Sequence, residues 1–254
     1  MSKQIKQFFI TTAMATIASF THTANATIVQ IQTSYGNIEV NLFDETTPKT
    51  VENFLSYIND NAYDDTIVHR SISGFISQSG GYYFNEEDNL LEVTEKPTVI
   101  NEPVYSNVCG TIAMAKLGGD PNSATSQWFI NLADNSTNLD NQNGGFTVFG
   151  QVTQSGMAVM DIIASLPTKN FGGAFTNTPV EDTSAGDTRE NTVIIDSIVI
   201  TDTNIDSALA VDLSTSTCSN NQINKTSSSS GTGHLGYLWI SLLTLLGLTR
   251  ARKH

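Results

Sequence analysis

Cysteine, histidine and basic residues are scarce in this sequence of 254 residues, and the shortages of histidine and of basic residues each argue against a class of function. The chain has only 4 histidines, and His22, His234 and His254 lie towards its ends. His69 is therefore the one histidine of the central part. A site with several histidine ligands is excluded there, and we expect no bound metal.

The 2 cysteines, Cys109 and Cys218, are far apart in the sequence. Cys218 lies in a polar C-terminal segment, so a bridge between them would tie that segment to the central part. An exported protein can form such a bridge. The spacing of two cysteines alone does not decide whether they pair.

Basic residues are outnumbered by acidic ones, 12 against 25, and the formal net charge is −13. Most of the acidic surplus lies between Thr27 and Asp202. An acidic surface repels the phosphate backbone, which argues against nucleic acid as a partner. The charge instead indicates a soluble surface.

The common motifs of catalytic and nucleotide-binding sites are also missing. No G-x-S-x-G elbow, Walker loop or G-x-G-x-x-G segment occurs, so nothing indicates a hydrolase or a nucleotide enzyme. Serines near His69 say nothing about geometry, because neighbours in sequence need not align in space. Residues 140–145 lack the frame of a calcium loop and predict an Asx-type turn. We expect no cofactor.

The N-terminal residues 1–26 have the order of a secretory signal. Lys3 and Lys6 precede an apolar run from Phe8 to Phe20, and Ala24-Asn25-Ala26 follows as a small-residue cleavage site. This pattern predicts removal of the segment and export of the protein. We therefore expect the mature protein in the periplasm, at the cell surface or in the medium.

The C-terminal residues form two further segments. Residues 203–233 are rich in Ser, Thr and Asn and predict a flexible linker. Residues 234–254 contain an apolar run, Leu235 to Leu248, and a basic end. The run is shorter than the ~20 residues that span a hydrocarbon core. It therefore predicts transient membrane anchoring, with the cationic end on the cytoplasmic side.

The segment between these ends, residues 27–202, predicts one domain dominated by strands. It opens with a hairpin of Ile28 to Thr33 and Ile38 to Leu42. Further strands are expected at Ile67 to Ser71, Phe75 to Gln78, Gly110 to Ala115, Gln127 to Asn131, Phe146 to Thr153 and Thr192 to Thr201. Tyr82 to Pro103 reads as a long polar connection.

Two helices are predicted from apolar residues at helical spacing. The first has Thr47 as N-cap and Pro48 in its first turn, and it ends near Asn59 to Asn61. The second is capped by Ser155 and ends at Pro167. Their apolar faces are expected to contain Val51, Phe54, Leu55 and Ile58 in the first helix, and Val159, Ile162, Ile163 and Leu166 in the second.

The stretch from Val68 to Gly81 offers the best binding surface in the sequence. It places a cation, Arg70, close to an apolar residue, Phe75, and an amide, Gln78. Successive side chains of a strand face opposite sides, so these three residues share a surface only if the chain bends between them. Gly74 permits that bend, because glycine adopts backbone angles that other residues avoid.

The same stretch resembles a known family. Residues 69–81 read His-Arg-Ser-Ile-Ser-Gly-Phe-Ile-Ser-Gln-Ser-Gly-Gly, which is similar to the F-H-R-x-I-x-G-F-M-x-Q-G-G segment of cyclophilins. Five other segments resemble cyclophilin motifs in the same order, and the resemblance runs from Ile28 to Ile200. They are Thr47 to Phe54, Gly110 to Ala115, Ser126 to Asn131, and Leu139-Asp140 with Val148-Phe149-Gly150.

The resemblance implies peptidyl-prolyl cis-trans isomerase activity and a closed eight-stranded antiparallel β-barrel capped by two α-helices. It implies that Arg70 and Gln78 are catalytic. It also implies a substrate groove lined by Phe75, Ile76, Ala115, Gln127, Phe129, Leu139 and Phe146. The expected partners are proline-containing unfolded or flexible polypeptides, and we expect a monomer that assists the folding of exported proteins.

Three departures from the family pattern bear on the groove. Ile76 replaces a methionine, Ser79 replaces a glycine, and Asn138 stands where members carry Trp or another aromatic residue. A polar rim at Asn138 predicts weak binding of cyclosporin-type ligands. The departures leave a second hypothesis open, in which the groove is a non-catalytic proline-peptide binding or chaperone module displayed at the cell envelope.

The C-terminal tail resembles a second class, the GlyGly-CTERM sorting signals of bacteria. The order of linker, Gly231-Thr232-Gly233, apolar run and basic end matches that class, although the glycines are not adjacent. The resemblance implies that a rhomboid-type protease removes the tail. A retained anchor is the alternative.

Overall fold

The structure, a computed structural model, describes residues 27–202. The predicted signal, residues 1–26, and the predicted linker and tail, 203–233 and 234–254, lie outside the described residues. Among residues 27–202, no helix is long and apolar enough to cross a membrane.

The described residues are mainly β, as predicted. The strands are β1 Ile28–Thr33, β2 Gly36–Leu42, β3 Thr66–Ile67, β4 Arg70–Ser71, β5 Ile76–Ser79, β6 Tyr82–Phe84, β7 Leu90–Glu92, β8 Thr111–Met114, β9 Trp128–Asn131, β10 Val148–Val152, β11 Thr168–Lys169, β12 Thr178–Pro179 and β13 Ile194–Asp202. The helices are α1 Pro48–Asn59, α2 Ser136–Leu139 and α3 Gln154–Ser165.

The opening hairpin is confirmed, and its alternation of residues explains its place in the core. Ile31 pairs with Ile38 and Val29 with Val40, and all four side chains are buried on the same face. Gly36 in the turn has a φ of 128°, a region that favours glycine. β1 continues the sheet on its other side by pairing with β13.

Helix α1 is confirmed and Thr47 stands at its N-cap position, but the threonine side chain does not cap the helix. The Thr47 hydroxyl donates to the carbonyl of Phe43 and makes no cap hydrogen bond. The carboxylate of Glu102 caps the helix, accepting from the Thr50 N–H at 2.9 Å and the Thr50 hydroxyl at 2.8 Å. This cap comes from a distant loop, so the local pattern did not contain it.

Helix α3 begins at Gln154, and its N-cap, Thr153, lies two residues before the predicted cap. The hydroxyl of Thr153, and not that of Ser155, accepts the N–H of Gly156. The buried face consequently differs from the predicted one, and Ile162 is 49% exposed. Of the predicted apolar residues only Ile163 is fully buried, and it shares the inner face with Gly156, Met157 and Met160.

The predicted polar connection after Gly81 contains structure of its own. β6 and β7 form a short hairpin there, in which Tyr83 pairs with Leu91. The aromatic start of this segment packs locally, since the Tyr82 ring lies 5.1 Å from that of His69 and 4.5 Å from that of Phe175.

Eleven of the strands form one curled antiparallel sheet in the order β4-β5-β9-β8-β10-β2-β1-β13-β3-β6-β7, and β11 pairs with β12. This strand order describes an open sheet of eleven strands. The pairing of the strands therefore does not establish the predicted closed barrel of eight strands. Helix α3 packs on β2. A large cluster that includes Val40, Phe54 and Ile112 fills one face of the sheet.

A second, smaller apolar cluster occupies the opposite face of β5, β8, β9 and β10. Strand residues alternate between the two clusters: Ile112 and Ile130 belong to the large one, whereas Ala113 and Phe129 belong to the small one. The sheet is therefore apolar on both faces at these strands. The smaller cluster is the floor of the candidate site.

Candidate active site

One row of paired residues crosses five neighbouring strands and brings the predicted site together. Arg70 pairs with Gln78, and Gln78 pairs in turn with Phe129. The row continues from Phe129 to Ala113 and from Ala113 to Val148. Directly paired residues project from the same face of a sheet, so a cation and an amide lie at one end of an apolar row.

Arg70 is buried at this end of the row, with a relative exposure of 6%. Its Nη1 donates to Oε1 of Gln78 over 3.4 Å, and its guanidinium carbon lies 6.0 Å from the centre of the Phe75 ring. None of the ion pairs within residues 27–202 involves Arg70, and its Nε has no partner there. Desolvation by burial lowers the pKa of Arg70.

Gln78 links Arg70 to Gln127. Its Nε2 donates to Oε1 of Gln127 over 2.9 Å, while its Oε1 accepts from Arg70. Gln127 needs the space left by a glycine on the neighbouring segment. A Cβ on Gly81 would lie 2.7 Å from Cδ of Gln127, so Gly81 allows this side chain to reach Gln78.

The bend that the sequence predicted is present. Gly74 has a φ of 71°, and the N–H of Phe75 donates to the carbonyl of Ile72, which closes a tight turn between β4 and β5. The Phe75 carbonyl accepts the N–H of Leu132 and Nδ2 of Asn135, both at 2.8 Å. These bonds fix the turn that carries Phe75 beside Arg70.

Asparagines support the site in a way that the sequence analysis missed. Asn131 is fully buried, and its Nδ2 donates to Oδ1 of Asn107 and to the hydroxyl of Thr111. Its Oδ1 accepts from Asn135, which also holds Phe75. The only signal in the sequence was an asparagine at the end of a predicted strand, and its partners lie on other segments.

The apolar floor contains the predicted groove residues Ile76, Ala115, Phe129, Leu139 and Phe146. The Phe129 and Phe146 rings meet edge to face with their centroids 5.8 Å apart. The N–H of Phe146 donates to the carbonyl of Leu139, so the two residues are held together. Phe75 is half-buried and packs against this cluster.

The departures from the family pattern lie mostly outside the floor. Ser79 pairs with Trp128, and its hydroxyl donates to the Ile67 carbonyl at 2.7 Å. The serine is thereby satisfied inside the protein, on the face away from Gln78. Asn138 is exposed on α2, next to Leu139. The rim is polar at this position.

His69 lies away from the row, although it precedes Arg70. Its buried ring packs edge to face against Tyr82 and Phe175. Within residues 27–202, no hydrogen bond reaches its Nδ1, and no group of acidic, histidine or cysteine side chains is arranged to hold a metal. Burial lowers the pKa of His69 to about 3, and Arg70 contributes to that shift.

A larger and a smaller cavity lie among residues 27–202. The larger, of about 410 Å³, is lined by residues such as Asp64, Tyr83 and Thr94 and contains no member of the row. The smaller, of about 130 Å³, is bordered by Phe146, Gly145 and Tyr105. The smaller cavity adjoins the apolar floor, so it belongs to the same surface as the row.

Comparisons with known proteins identify the family of this chain. The profile of the family described as "Cyclophilin type peptidyl-prolyl cis-trans isomerase/CLD" matches residues 28–186. Peptidyl-prolyl cis-trans isomerase B of Escherichia coli K12 is 35% identical over 181 residues, covering 69% of this chain and 100% of that protein. The peptidyl-prolyl cis-trans isomerase of Acinetobacter baylyi is 41% identical over 154 residues, covering 59% and 79%.

A solved structure is similar as well. It is the crystal structure of a cyclophilin-type peptidyl-prolyl cis-trans isomerase of Cryptosporidium parvum in the presence of the dipeptide Ala-Pro. The TM-score is 0.51 at 25% identity, and the match covers 68% of this chain and 98% of that one. The chain belongs to the cyclophilin-type peptidyl-prolyl cis-trans isomerase family and is an enzyme of this class.

Proposed function

We propose that this isomerase binds proline-containing segments of unfolded or flexible polypeptides on the apolar floor and that Arg70 is its catalytic residue. The floor, formed by Ile76, Ala115, Phe129, Leu139 and Phe146, receives the proline ring. Phe75 and Gln127 border the bound segment. Gln78 orients Arg70. No cofactor takes part in this scheme.

The physics of the reaction explains the role given to Arg70. Rotation about an X-Pro bond is opposed by amide resonance, with a barrier of ~18–20 kcal/mol. No covalent bond breaks, so the enzyme only has to bind the twisted amide better than the planar one. On twisting, the prolyl nitrogen regains its lone pair, and a permanently charged guanidinium can donate a hydrogen bond to it.

The observation that carries the proposal is the unpartnered donor of Arg70. Burying a cation without an opposite charge is costly, and Nε of Arg70 has no partner within residues 27–202. A guanidinium without an opposite charge, at one end of an apolar row, is the arrangement that stabilisation of a developing lone pair requires. The low exposure of Arg70 further strengthens the interaction, because less water competes for the guanidinium.

An exchange assay on an X-Pro peptide tests the proposal. Arg70→Ala is expected to lower kcat by about 100-fold, the order found when one transition-state donor is removed, while the fold is retained. Arg189→Ala is the matched control, since Arg189 is paired with Asp65 and Asp88 away from the row. Equal exchange by wild type and Arg70→Ala would refute the role of Arg70.

The same assay separates the second candidate function, a non-catalytic proline-peptide binding or chaperone module. The polar rim at Asn138 is the observation that favours it. A binding module would hold the peptide without accelerating its exchange, and Arg70→Ala would then change affinity alone.

The proposal extends to an exported isomerase that assists folding in the periplasm, at the cell surface or in the medium. The support is the signal-like order of residues 1–26 and the linker, apolar run and basic end of residues 203–254. The tail would anchor the protein in the membrane transiently until it is cut. Mass measurement of the mature N- and C-termini tests both processing steps, and intact ends would refute them.

We also propose that the curled sheet closes as an eight-stranded barrel capped by α1 and α3 and that the protein is a monomer. β3 and β4 are separated only by Val68 and His69, while β3 pairs with β13 and β4 with β5. If β3 and β4 are counted as one bent strand, eight strands pair in a closed ring from β4 to β3. Such closure removes exposed strand edges. Sedimentation at several concentrations tests the monomer.

A further inference from the structure

The loop that precedes Phe146 has an unusual backbone. Three consecutive residues, Asn143, Gly144 and Gly145, have φ values of 49°, 74° and 77°. Glycine adopts these left-handed angles freely, and asparagine does so more readily than most residues. The backbone of this loop is therefore not fixed by its own sequence. The contacts that hold it therefore decide where Phe146 lies.

Lys116 supplies the first of these contacts. It follows Ala115 directly at the end of β8 and is 6% exposed, although it is a lysine. Its Nζ donates to the carbonyls of Gly145 at 2.6 Å and Asn143 at 3.0 Å. A buried ammonium is costly unless its protons are used, and here two go to one short loop.

Asparagine side chains complete the set. Nδ2 of Asn101 donates to the carbonyls of Gly144 and Gly145, both at 2.9 Å. Nδ2 of Asn143 donates back to the carbonyl of Leu117 at 2.8 Å. All three carbonyls of the loop thus have side-chain donors, and the segments around 101 and 116 are both tied to it.

The same ammonium also contacts the ring of Phe146. Nζ of Lys116 lies 4.8 Å from the centre of the Phe146 ring, within the range of a cation–π contact. The Phe146 ring in turn packs against Phe129 on the floor. Lys116 therefore contacts both the backbone before Phe146 and the ring itself, from the side away from Arg70's end of the row.

We propose that Lys116 is a positioning residue of the isomerase, whose ammonium holds the carbonyls of residues 143–145 and thereby keeps the Phe146 ring in place as the wall of the proline site. This inference rests on the proposed role of the floor in binding proline. Lys116 acts through Phe146 and through the loop, and it takes no part in twisting the amide.

Asp120 is the charged neighbour that favours the ammonium form. Burial lowers the pKa of Lys116 to about 8, and the charge of Asp120 acts in the opposite direction. The lysine is hence poised between charged and neutral forms under mildly alkaline conditions. Arginine at this position would keep its charge there.

The test separates substrate binding from the catalytic step. In Lys116→Met we expect KM for an X-Pro peptide to rise by about fivefold or more and kcat to change less than about twofold, because the loss affects binding of the planar and twisted amides alike. Lys116→Arg retains donors and charge and should keep KM near that of wild type.

Lys96→Met is the matched control. Nζ of Lys96 also donates to a carbonyl, that of Ser56, and lies 5.0 Å from an aromatic ring, that of Tyr57. Because neither residue belongs to the floor, this variant should leave KM unchanged. An equal KM change in both variants would assign the effect to general loosening of the fold and would overturn the proposal.

Two further results decide the matter. An unchanged KM in Lys116→Met overturns the proposal for Lys116, whatever the result for Arg70→Ala. The kcat of Arg70→Ala tests the catalytic role of Arg70 separately. If Lys116→Met does not fold, Asn101→Ala removes the other two bonds to the loop and is expected to raise KM in the same way. An unchanged KM in that variant would then count against the proposal.

Discussion

Arg70 and Gln78 are partners across β4 and β5, and their side chains meet at 3.4 Å between Nη1 and Oε1. This distance exceeds the usual 2.7–3.2 Å of such bonds. A neutral and weakly bonded partner orients the guanidinium without cancelling its charge. Gln127 fixes Gln78 from the other side at 2.9 Å.

Replacing Gln78 by leucine is expected to lower kcat/KM for an X-Pro peptide by about tenfold. The leucine keeps the bulk but removes the acceptor that orients Arg70, and an interaction of ~1.4 kcal/mol in the transition state corresponds to this factor. The measurement is an exchange assay at several peptide concentrations, combined with a melting curve for each variant.

Gln151→Leu is the control for this change, because Gln151 is a buried strand glutamine whose partners in the sheet are Asn41 and Thr111. Its kcat/KM should stay within about twofold of wild type. If Gln78→Leu also keeps kcat/KM within about twofold of wild type, the Gln78 side chain is not needed to orient Arg70.

Asn131→Ala should destabilise the protein by about 1–3 kcal/mol, the cost of leaving buried polar groups unsatisfied. It removes the donors to Asn107 and Thr111 and the acceptor for Asn135. Urea unfolding measures the loss. Asn138→Ala, on the exposed rim, should change stability by less than about 0.5 kcal/mol, and equal effects in the two variants would contradict the role of Asn131.

The proximity of Arg70 to Phe75 and Gln78 could be predicted because its signal is local. The segment around Gly74 contains Arg70, Phe75 and Gln78 within a few positions, and strand alternation decides which of them share a face. Apolar residues at helical spacing located both main helices by an equally local signal. That signal did not identify the capping side chains, which are Glu102 for α1 and Thr153, in place of the expected Ser155, for α3.

The supporting contacts could not be predicted, because they join segments that are far apart in sequence. Glu102 caps α1, Asn131 reaches Asn107, and Lys116 binds the carbonyls of residues 143–145. Every residue has a backbone carbonyl, whatever its side chain. The sequence pattern therefore cannot predict which carbonyls a lysine side chain will bind. Such partners follow only from the path of the chain.

Glu102→Ala is expected to lower the free energy of unfolding by about 1 kcal/mol, as for the loss of other N-terminal caps. The variant leaves the N–H and hydroxyl of Thr50 without the acceptor that now serves both. Glu52→Ala, on the exposed face of the same helix, is the control. Glu102→Gln retains an acceptor and should lie between wild type and alanine in urea unfolding.

His69 should make the stability of the protein depend on pH below about 6.5. Burial lowers the pKa of His69 from 6.5 to about 3, so between these values the unfolded chain takes up a proton that the folded protein does not. The unfolding free energy then falls as the pH falls, by up to ~1.4 kcal/mol per pH unit from this group. Above pH 6.5 His69 is neutral in both the folded and the unfolded state, so its full contribution to the unfolding free energy is present there.

His69→Phe isolates this effect, because phenylalanine suits the contacts with Tyr82 and Phe175 and does not titrate. Urea unfolding of both proteins at pH 7, 6 and 5 gives two curves of stability against pH. Carboxylates and the remaining histidines contribute equally to both curves, so the difference belongs to His69. Because the ring of His69 is buried, the unfolding free energy of the wild type is expected to fall more steeply than that of His69→Phe below pH 6.5. Parallel curves would mean that His69 takes up its proton in the folded protein as readily as in the unfolded chain.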